Sequence, residues 1–159
     1  MESAERTVPA KNGTANNCPS EKQRFFNWLA NPLAGMATDL GTTQQLMLTM
    51  AAKEGGWTTA ALNHNQPLNN PFGVNLIKNG RAAGNKAYPN LGAAIQDWEN
   101  MFGARVEGAI SPADFVKGLL FPKPGQGQPY NSVNPNYGSQ FIQVYGTVGK
   151  YMGRCGIGG

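Results

Sequence analysis

The sequence predicts a single, mainly helical domain with one small β hairpin. Apolar residues recur at helical spacing in several segments that Gly and Pro residues separate. Residues 72–77 at first alternate apolar and polar side chains, and Asn79-Gly80 behind them favours a tight hairpin turn. The length of 159 residues, 40% of them apolar, suits one core. We place the domain at 20–152, between a polar N-terminal tail (1–19) and a Gly-rich C-terminal tail (153–159).

The first helix is predicted to begin after Ser20, a residue type that favours the N-cap position. Because proline lacks the amide hydrogen that a helix interior needs, Pro32 should break or restart this helix. The continuation, residues 33–40, should end at Gly41.

The second helix is predicted to span residues 44–54, capped by Thr42 or Thr43. The Gly55-Gly56 pair should stop it. The polar stretch that follows, up to Asn70, predicts a loop.

Three more helices follow the hairpin. Apolar residues at helical spacing predict one helix at about 91–103. Ser111 as N-cap and Pro112 in the first position predict the next, which runs to Leu120. Pro135 should open the last helix.

Composition argues against several kinds of partner. The net charge of +4 and the pI of about 9.2 are a mild basic excess, and no helix concentrates the Lys and Arg that nucleic-acid binding needs. No apolar run approaches the ~20 residues of a membrane span. The absence of a C-x-x-C motif or Cys/His cluster argues against structural zinc. We expect a monomer without cofactor or metal.

The two cysteines, Cys18 and Cys155, stand one at each edge of the predicted domain. In an oxidising compartment they could close a disulfide that joins the termini. The alternative is two free thiols in flexible tails.

Glu54 stands out as a carboxylate on an apolar helix face. Leu46, Met50 and Glu54 are spaced four residues apart and therefore share one face of the second helix. Apolar surroundings and the negative end of the helix dipole both favour the neutral form of an acid at this position. Glycoside cleavage needs such a neutral acid to protonate the leaving oxygen. The alternative is a solvated Glu at a frayed helix end.

Four segments resemble motifs of the lysozyme-like superfamily and occur in the same order. Lys-Glu54-Gly-Gly-Trp57 is similar to the Glu-Ser-Gly-Trp helix end of that superfamily. Residues 69–74, Asn-Asn-Pro-Phe-Gly-Val, resemble the Asn-Asn-Leu-Phe-Gly-Ile stretch of bacterial peptidoglycan glucosaminidases of the flagellar-rod and autolysin type. Residues 88–98 are similar to a segment that leads from an aromatic strand end into a helix, and 130–137 to a Tyr…Asp-Pro-x-Tyr motif. The resemblance covers about residues 25–152.

This resemblance implies a lysozyme-like α+β domain whose small hairpin lies beside an active-site cleft. It implies that Glu54 is the catalytic acid, and that Tyr137 and Tyr88 face the scissile sugar. It also implies that Trp57 holds the loop behind the acid. The implied substrate-binding residues are Trp57, Asn70, Phe72, Gly73 and Tyr88.

A standard glycosidase uses two carboxylates, and the sequence offers no evident second one. No Asp or Glu lies between Glu54 and Asp97. Asp97 and Glu99 are expected at the surface, and Asp114 as a helix-capping acid, which leaves Glu107 as the remaining candidate. We therefore expect a one-acid mechanism. In it the N-acetyl group of the substrate assists, or a water or sugar hydroxyl held by the two tyrosines attacks.

Together these features predict a peptidoglycan hydrolase that cleaves the β-1,4 glycan strand between N-acetylglucosamine and N-acetylmuramic acid. We expect it to act in the periplasm or cell wall as an antibacterial effector or lysin, with an immunity protein or secretion-system carrier as partner. The polar N-terminus lacks the apolar stretch of a secretory signal. Either another export route is used or a leader or domain precedes it.

Two alternative functions remain at the level of sequence. One is a non-catalytic peptidoglycan-binding module. The other is a wall peptidase with Cys18 or Cys155 as nucleophile and His64 as base.

Overall fold

The computed structural model describes residues 17–131 and 133–158, so residues 1–16 of the predicted N-terminal tail lie outside the described residues. The described part is mainly helical with one two-stranded antiparallel sheet, as the sequence predicts. Its elements are α1 (Ser20–Leu40), α2 (Gln44–Glu54), α3 (Thr59–Asn65), β1 (Asn75–Lys78), β2 (Arg81–Asn85), α4 (Leu91–Trp98), a π-helical turn (Glu99–Gly103), α5 (Ala104–Val106), α6 (Pro112–Leu120) and α7 (Tyr137–Arg154).

Helix α2 is the centre of the fold, since residues 46–52 along it are all buried. A helix buried on every side is one that other elements enclose, and here α1 and α7 pack against it. Its last residue, Glu54, is only partly buried. The carboxylate therefore stands where the buried helix reaches the surface.

Helix α1 is continuous through Pro32, and the predicted break is wrong. A proline inside a helix removes one backbone hydrogen bond and costs about 3 kcal/mol. The apolar face of α1, which includes Phe25, Leu29 and Leu33, is fully buried against the core. Burial of several large side chains, about 1.5–3 kcal/mol each, offsets that cost. The N-cap is Pro19, one residue before the expected Ser20.

The ends of α2 follow the prediction. Thr43 is the N-cap, and its hydroxyl accepts the Leu46 amide at 3.2 Å. Gly55 is the C-cap, and Gly56 with φ of 87° turns the chain away from the helix.

Helix α3 occupies part of the region predicted as a loop. Thr58 caps it and accepts the Ala61 amide at 3.1 Å. Only Leu62 and Asn65 of this helix are buried, so the segment lacks the apolar periodicity by which a helix is recognised.

The hairpin forms where the sequence predicts it. Strands β1 and β2 are antiparallel, with Lys78 paired to Arg81 around the Asn79-Gly80 turn. Both turn residues have positive φ, 52° and 75°, which that type of turn requires.

The predicted helix 91–103 is longer and less regular than expected. It continues from α4 through the π-helical turn into α5. Helix α6 has the predicted Ser111 cap, whose hydroxyl accepts the Asp114 amide at 3.2 Å. Helix α7 begins two residues after Pro135. Among the described residues, no helix combines the length and apolar character that a membrane crossing requires.

The two ends of the described chain meet at a disulfide. Cys18, before α1, and Cys155, after α7, have Cα atoms 4.8 Å apart and bonded sulfurs. Cys155 and Ile157 pack against the core, so the Gly-rich C-terminal segment is held at the bridge and also after it.

Candidate active site

Glu54 is held by a tyrosine from the opposite side of the core. The hydroxyl of Tyr137, the first residue of α7, donates a hydrogen bond of 2.8 Å to Glu54 Oε2. The same hydroxyl lies 3.8 Å from the Met50 sulfur. The Tyr137 side chain has no exposed surface. Tyr137 therefore orients the carboxylate rather than facing a sugar directly.

A second tyrosine, Tyr130, completes the surroundings of the acid. Its ring centroid lies 5.4 Å from that of Tyr137 and 5.1 Å from that of Phe102. Burial, and then the nearby Glu54 carboxylate, raise the pKa of both tyrosine hydroxyls. Both hydroxyls therefore stay protonated at physiological pH and remain hydrogen-bond donors.

Sequence reasoning placed Tyr130 in a motif but gave it no role. The signal was available, because Tyr130 opens the 130–137 segment that ends in Tyr137. Its partner Phe102 lies on the π-helical turn, and the helical spacing of the sequence does not predict that irregular turn.

Two glycines let the loop before the hairpin pack directly on the end of α2. A Cβ at Gly55 would collide with the Pro71 carbonyl, and a Cβ at Gly73 with the Glu54 carbonyl. Gly73 also has φ of 63°, where L side chains are strained. Backbone contact on both sides thus fixes the position of the Glu54 main chain.

Asn70 organises the base of the hairpin. Its side chain is fully buried, and its amide group donates to the carbonyls of Val74 (2.9 Å) and Lys86 (2.8 Å). Its oxygen accepts the Val74 amide at 3.0 Å. Phe72, also predicted to line a cleft, is 3% exposed and packs 5.4 Å from the Trp98 ring. Both side chains are therefore enclosed within the protein.

Tyr88 is bonded to Asp97 rather than to Glu54. Its hydroxyl donates to Asp97 Oδ2 at 2.5 Å, and Lys86 Nζ lies 3.3 Å from the same oxygen. Burial, followed by the Asp97 carboxylate, raises the pKa of Tyr88. Asp97, expected at the surface, is partly exposed, and its contacts with Tyr88 and Lys86 arise because α4 turns it toward the segment that follows β2.

Trp57 anchors the loop behind the acid. Its ring packs edge-on against Phe25 at 5.3 Å and Tyr151 at 5.6 Å, between α1 and α7. Lys22 Nζ lies 4.1 Å from the ring centroid. These contacts support the expected loop-holding role and occupy the ring within the protein.

Glu107 lies at the far end of α2 from Glu54. The next residue, Gly108, donates its amide to the Leu40 carbonyl at 2.9 Å, beside the start of α2. Helix α2 has 11 residues, which corresponds to about 16 Å of length. Paired glycosidase carboxylates lie at most about 9.5 Å apart. Glu107 therefore does not pair with Glu54.

Glu99 is another acid to consider, and the peptidase alternative depends on the two cysteines and His64. Glu99 is partly buried, and burial together with the charge of Asp39 raises its pKa. Cys18 and Cys155 are bonded to each other, which leaves no thiol to act as a nucleophile. His64 lies exposed on α3. The groups that the structure brings to the Glu54 carboxyl group are therefore tyrosine hydroxyls.

Several solved structures share this fold. A chain from a type VI secretion system effector–immunity complex of Pseudomonas protegens aligns with a TM-score of 0.62 and 18% identity, over 86% of this chain and 94% of that one. The peptidoglycan hydrolase from Sphingomonas sp. A1 aligns with a TM-score of 0.62 and 20% identity, over 84% and 94% of the two chains. A C-terminally truncated glycoside hydrolase domain from Salmonella typhimurium FlgJ gives 0.57 and 20%, over 80% and 97%.

At 18% to 20% identity these likenesses show the fold alone, and at that level they confirm the lysozyme-like fold that the sequence resemblance implies. No protein-family model and no curated protein matches the chain.

Proposed function

We propose that this protein is a peptidoglycan hydrolase that cleaves the β-1,4 glycan strand between N-acetylglucosamine and N-acetylmuramic acid. The observation that carries the proposal is the geometry of Glu54. A partly exposed carboxyl group ends the buried central helix, and a buried tyrosine holds one of its oxygens. The similarity of the fold to peptidoglycan hydrolases supports the choice of substrate.

Glu54 acts as the general acid. Because Tyr137 donates to Oε2, Oε1 is the oxygen from which Glu54 gives a proton to the glycosidic oxygen as the bond breaks. The backbone contacts of Gly55 and Gly73 keep this carboxyl group in a fixed position. Such positioning is what makes proton transfer efficient.

The N-acetyl group of the substrate assists in place of a second carboxylate. The hydroxyls of Tyr88 and Tyr137, the two expected to hold an attacking water, are already bonded to Asp97 and Glu54. The acetamido oxygen then bonds to the anomeric carbon as the leaving oxygen takes the Glu54 proton. Water opens the cyclic intermediate and returns a proton to Glu54. Substrate-assisted cleavage of this kind needs only one protein acid.

The test is digestion of purified peptidoglycan by the wild type, Glu54→Gln and the control Glu107→Gln, with reduced fragments identified by mass spectrometry. General acid catalysis contributes at least about 100-fold, so we expect Glu54→Gln to lose that factor and Glu107→Gln to match the wild type. The reduced sugar at the new chain end identifies the bond that is cut.

Two results would contradict the proposal. Equal release by the wild type and Glu54→Gln would remove Glu54 as the acid. No release by any of the proteins, with the wall still bound, would leave a peptidoglycan-binding module.

The cellular role that fits this activity is that of an antibacterial effector or lysin acting in the periplasm or cell wall. The likeness to a chain from an effector–immunity complex supports this role and an immunity partner. Directing the chain to the periplasm of a test bacterium should cause lysis, whereas cytoplasmic expression should not. Equal growth in both cases would contradict this role.

A further inference from the structure

Lys53, the residue before the candidate acid, brings a positive charge close to it. Its Nζ lies 4.7 Å from the centroid of the Tyr137 ring, the same ring whose hydroxyl holds Glu54. The Nζ also lies 3.4 Å from Gln140 Oε1 on α7. The Lys53 side chain therefore reaches from α2 to α7, and its ammonium group lies at the edge of the Glu54–Tyr137 pair.

This ammonium group has no acidic partner in the described part of the chain. The ion pairs there join Lys22 to Glu21 and Lys86 to Asp97. Lys53 instead shares one acceptor, Gln140 Oε1, with the side-chain amide of Asn134 at 3.0 Å. Gln140 Oε1 thus accepts two hydrogen bonds within the protein. The three side chains of Lys53, Gln140 and Asn134, here called the rim, therefore present mainly N–H donors to solvent.

A rim of N–H donors beside a positive charge is suited to a carboxylate. On a peptidoglycan strand the carboxylates belong to the muramic acid unit, either as the free lactyl group or on the stem peptide attached to it. A polymer of N-acetylglucosamine alone carries none. The rim therefore has the chemistry to distinguish muramic acid from its neutral neighbour.

We propose that Lys53 is a specificity residue that binds a carboxylate of the muramic acid unit next to the cleaved bond. The inference rests on the proposed function, since it names the part of the same substrate that the site recognises. It requires the charge of Lys53, not only its packing over Tyr137.

The experiment compares Lys53→Met, which keeps an apolar stem over the Tyr137 ring, with Lys53→Arg, which keeps the charge. Lys150→Met is the matched control, because Lys150 makes a similar contact with the Tyr151 ring at 5.6 Å near the other end of α7. The substrates are intact peptidoglycan, strands freed of stem peptides by an amidase, and strands whose carboxyl groups have been neutralised by chemical amidation.

An exposed ion pair contributes up to about 1 kcal/mol, or about fivefold in affinity. We expect Lys53→Met to raise KM about fivefold on carboxylate-bearing strands, with kcat unchanged and with no effect on neutralised strands. Lys53→Arg and Lys150→Met should match the wild type. In intact peptidoglycan the lactyl carboxyl is held in the amide bond to the stem peptide, and the amidase frees it. An effect on intact strands alone therefore assigns the carboxylate to the stem peptide, and an effect on amidase-treated strands alone assigns it to the lactyl group. An effect on both means that Lys53 binds either carboxylate.

An equal change in KM on charged and neutralised strands, or no change on either, would overturn the inference. Binding isotherms of the same variants in a Glu54→Gln background separate it from the proposed function. A fivefold weaker binding of Lys53→Met to charged strands supports the role of Lys53 even if no bond is cut. Unchanged binding removes that role even if Glu54 proves catalytic.

Discussion

At the scale of single residues, the buried hydroxyl of Tyr137 has one polar contact with the acid, at 2.8 Å to Glu54 Oε2. Tyr137→Phe removes that hydrogen bond and little else, since the ring stays enclosed by the core. Glu54 becomes a carboxylate as it gives up its proton, and a hydrogen bond to a charged group contributes about 1.5–3 kcal/mol. We expect kcat on peptidoglycan to fall about 10- to 100-fold, as measured by the initial rate of fragment release.

Tyr88→Phe is the matched control for that prediction. It also removes one buried tyrosine hydroxyl bonded to a carboxylate, here Asp97. We expect a similar loss of stability in urea unfolding and a much smaller change in kcat. Equal loss of kcat in both variants would mean that the hydroxyls act through stability and not through the orientation of Glu54.

The contacts of Tyr137 and Tyr88 show which features of single residues could be predicted from the sequence. The spacing of Leu46, Met50 and Glu54 placed a carboxyl group on the apolar face of α2, because all three lie on one regular helix. The choice of Glu54 as the candidate acid rested on the family resemblance as well. The partner of Tyr88 was not predictable, because Asp97 meets it only after the chain has turned from β2 into α4. Residue contacts within an element follow from periodicity, whereas contacts between elements depend on how those elements pack.

At the scale of elements, the close approach of the 71–73 loop to the end of α2 depends on glycine. Gly73→Ala adds a methyl group that would approach the Glu54 carbonyl closer than 3.0 Å, at a φ of 63°. The positive φ alone costs about 1–2 kcal/mol for alanine, and the clash also forces the loop and helix apart. We expect lower unfolding stability and a clear loss of kcat.

Gly80→Ala measures the cost of a positive φ alone, without a steric clash. Gly80, in the hairpin turn, has φ of 75°, but a Cβ there meets only open space. Chemical denaturation should give a loss of about 1–2 kcal/mol for Gly80→Ala, with activity retained. The prediction for Gly73→Ala fails if both variants lose stability and activity to the same extent.

The elements themselves were predicted where local signals were strong. Three such features depend on contacts between residues only three positions apart: the Asn79-Gly80 turn, the Thr43 cap of α2 and the Ser111 cap of α6. Pro32 was misjudged because the burial of α1 against α2 outweighs the local cost of a proline. Helix α3 was missed because it buries too few apolar residues to create a periodic pattern.

At the scale of the whole molecule, the bridge between Cys18 and Cys155 connects the two ends of the described chain to the candidate site. It joins residues 137 positions apart, where α1 begins and α7 ends. Trp57 packs between the same two helices, against Phe25 and Tyr151. Because Trp57 lies three residues after Glu54, loosening α1 from α7 also loosens the loop behind the acid.

Removing the bridge should therefore affect both stability and activity. In the chain-entropy account, a loop of this length contributes up to about 5 kcal/mol to the free energy of unfolding. We expect Cys18→Ala/Cys155→Ala to shift the urea midpoint to lower concentration and to lower kcat, and a reductant to do the same to the wild type. The double variant controls for other actions of the reductant, since it should not respond to it. A wild-type midpoint and kcat that reductant leaves unchanged would mean that core packing alone holds α1, α7 and the Trp57 loop together.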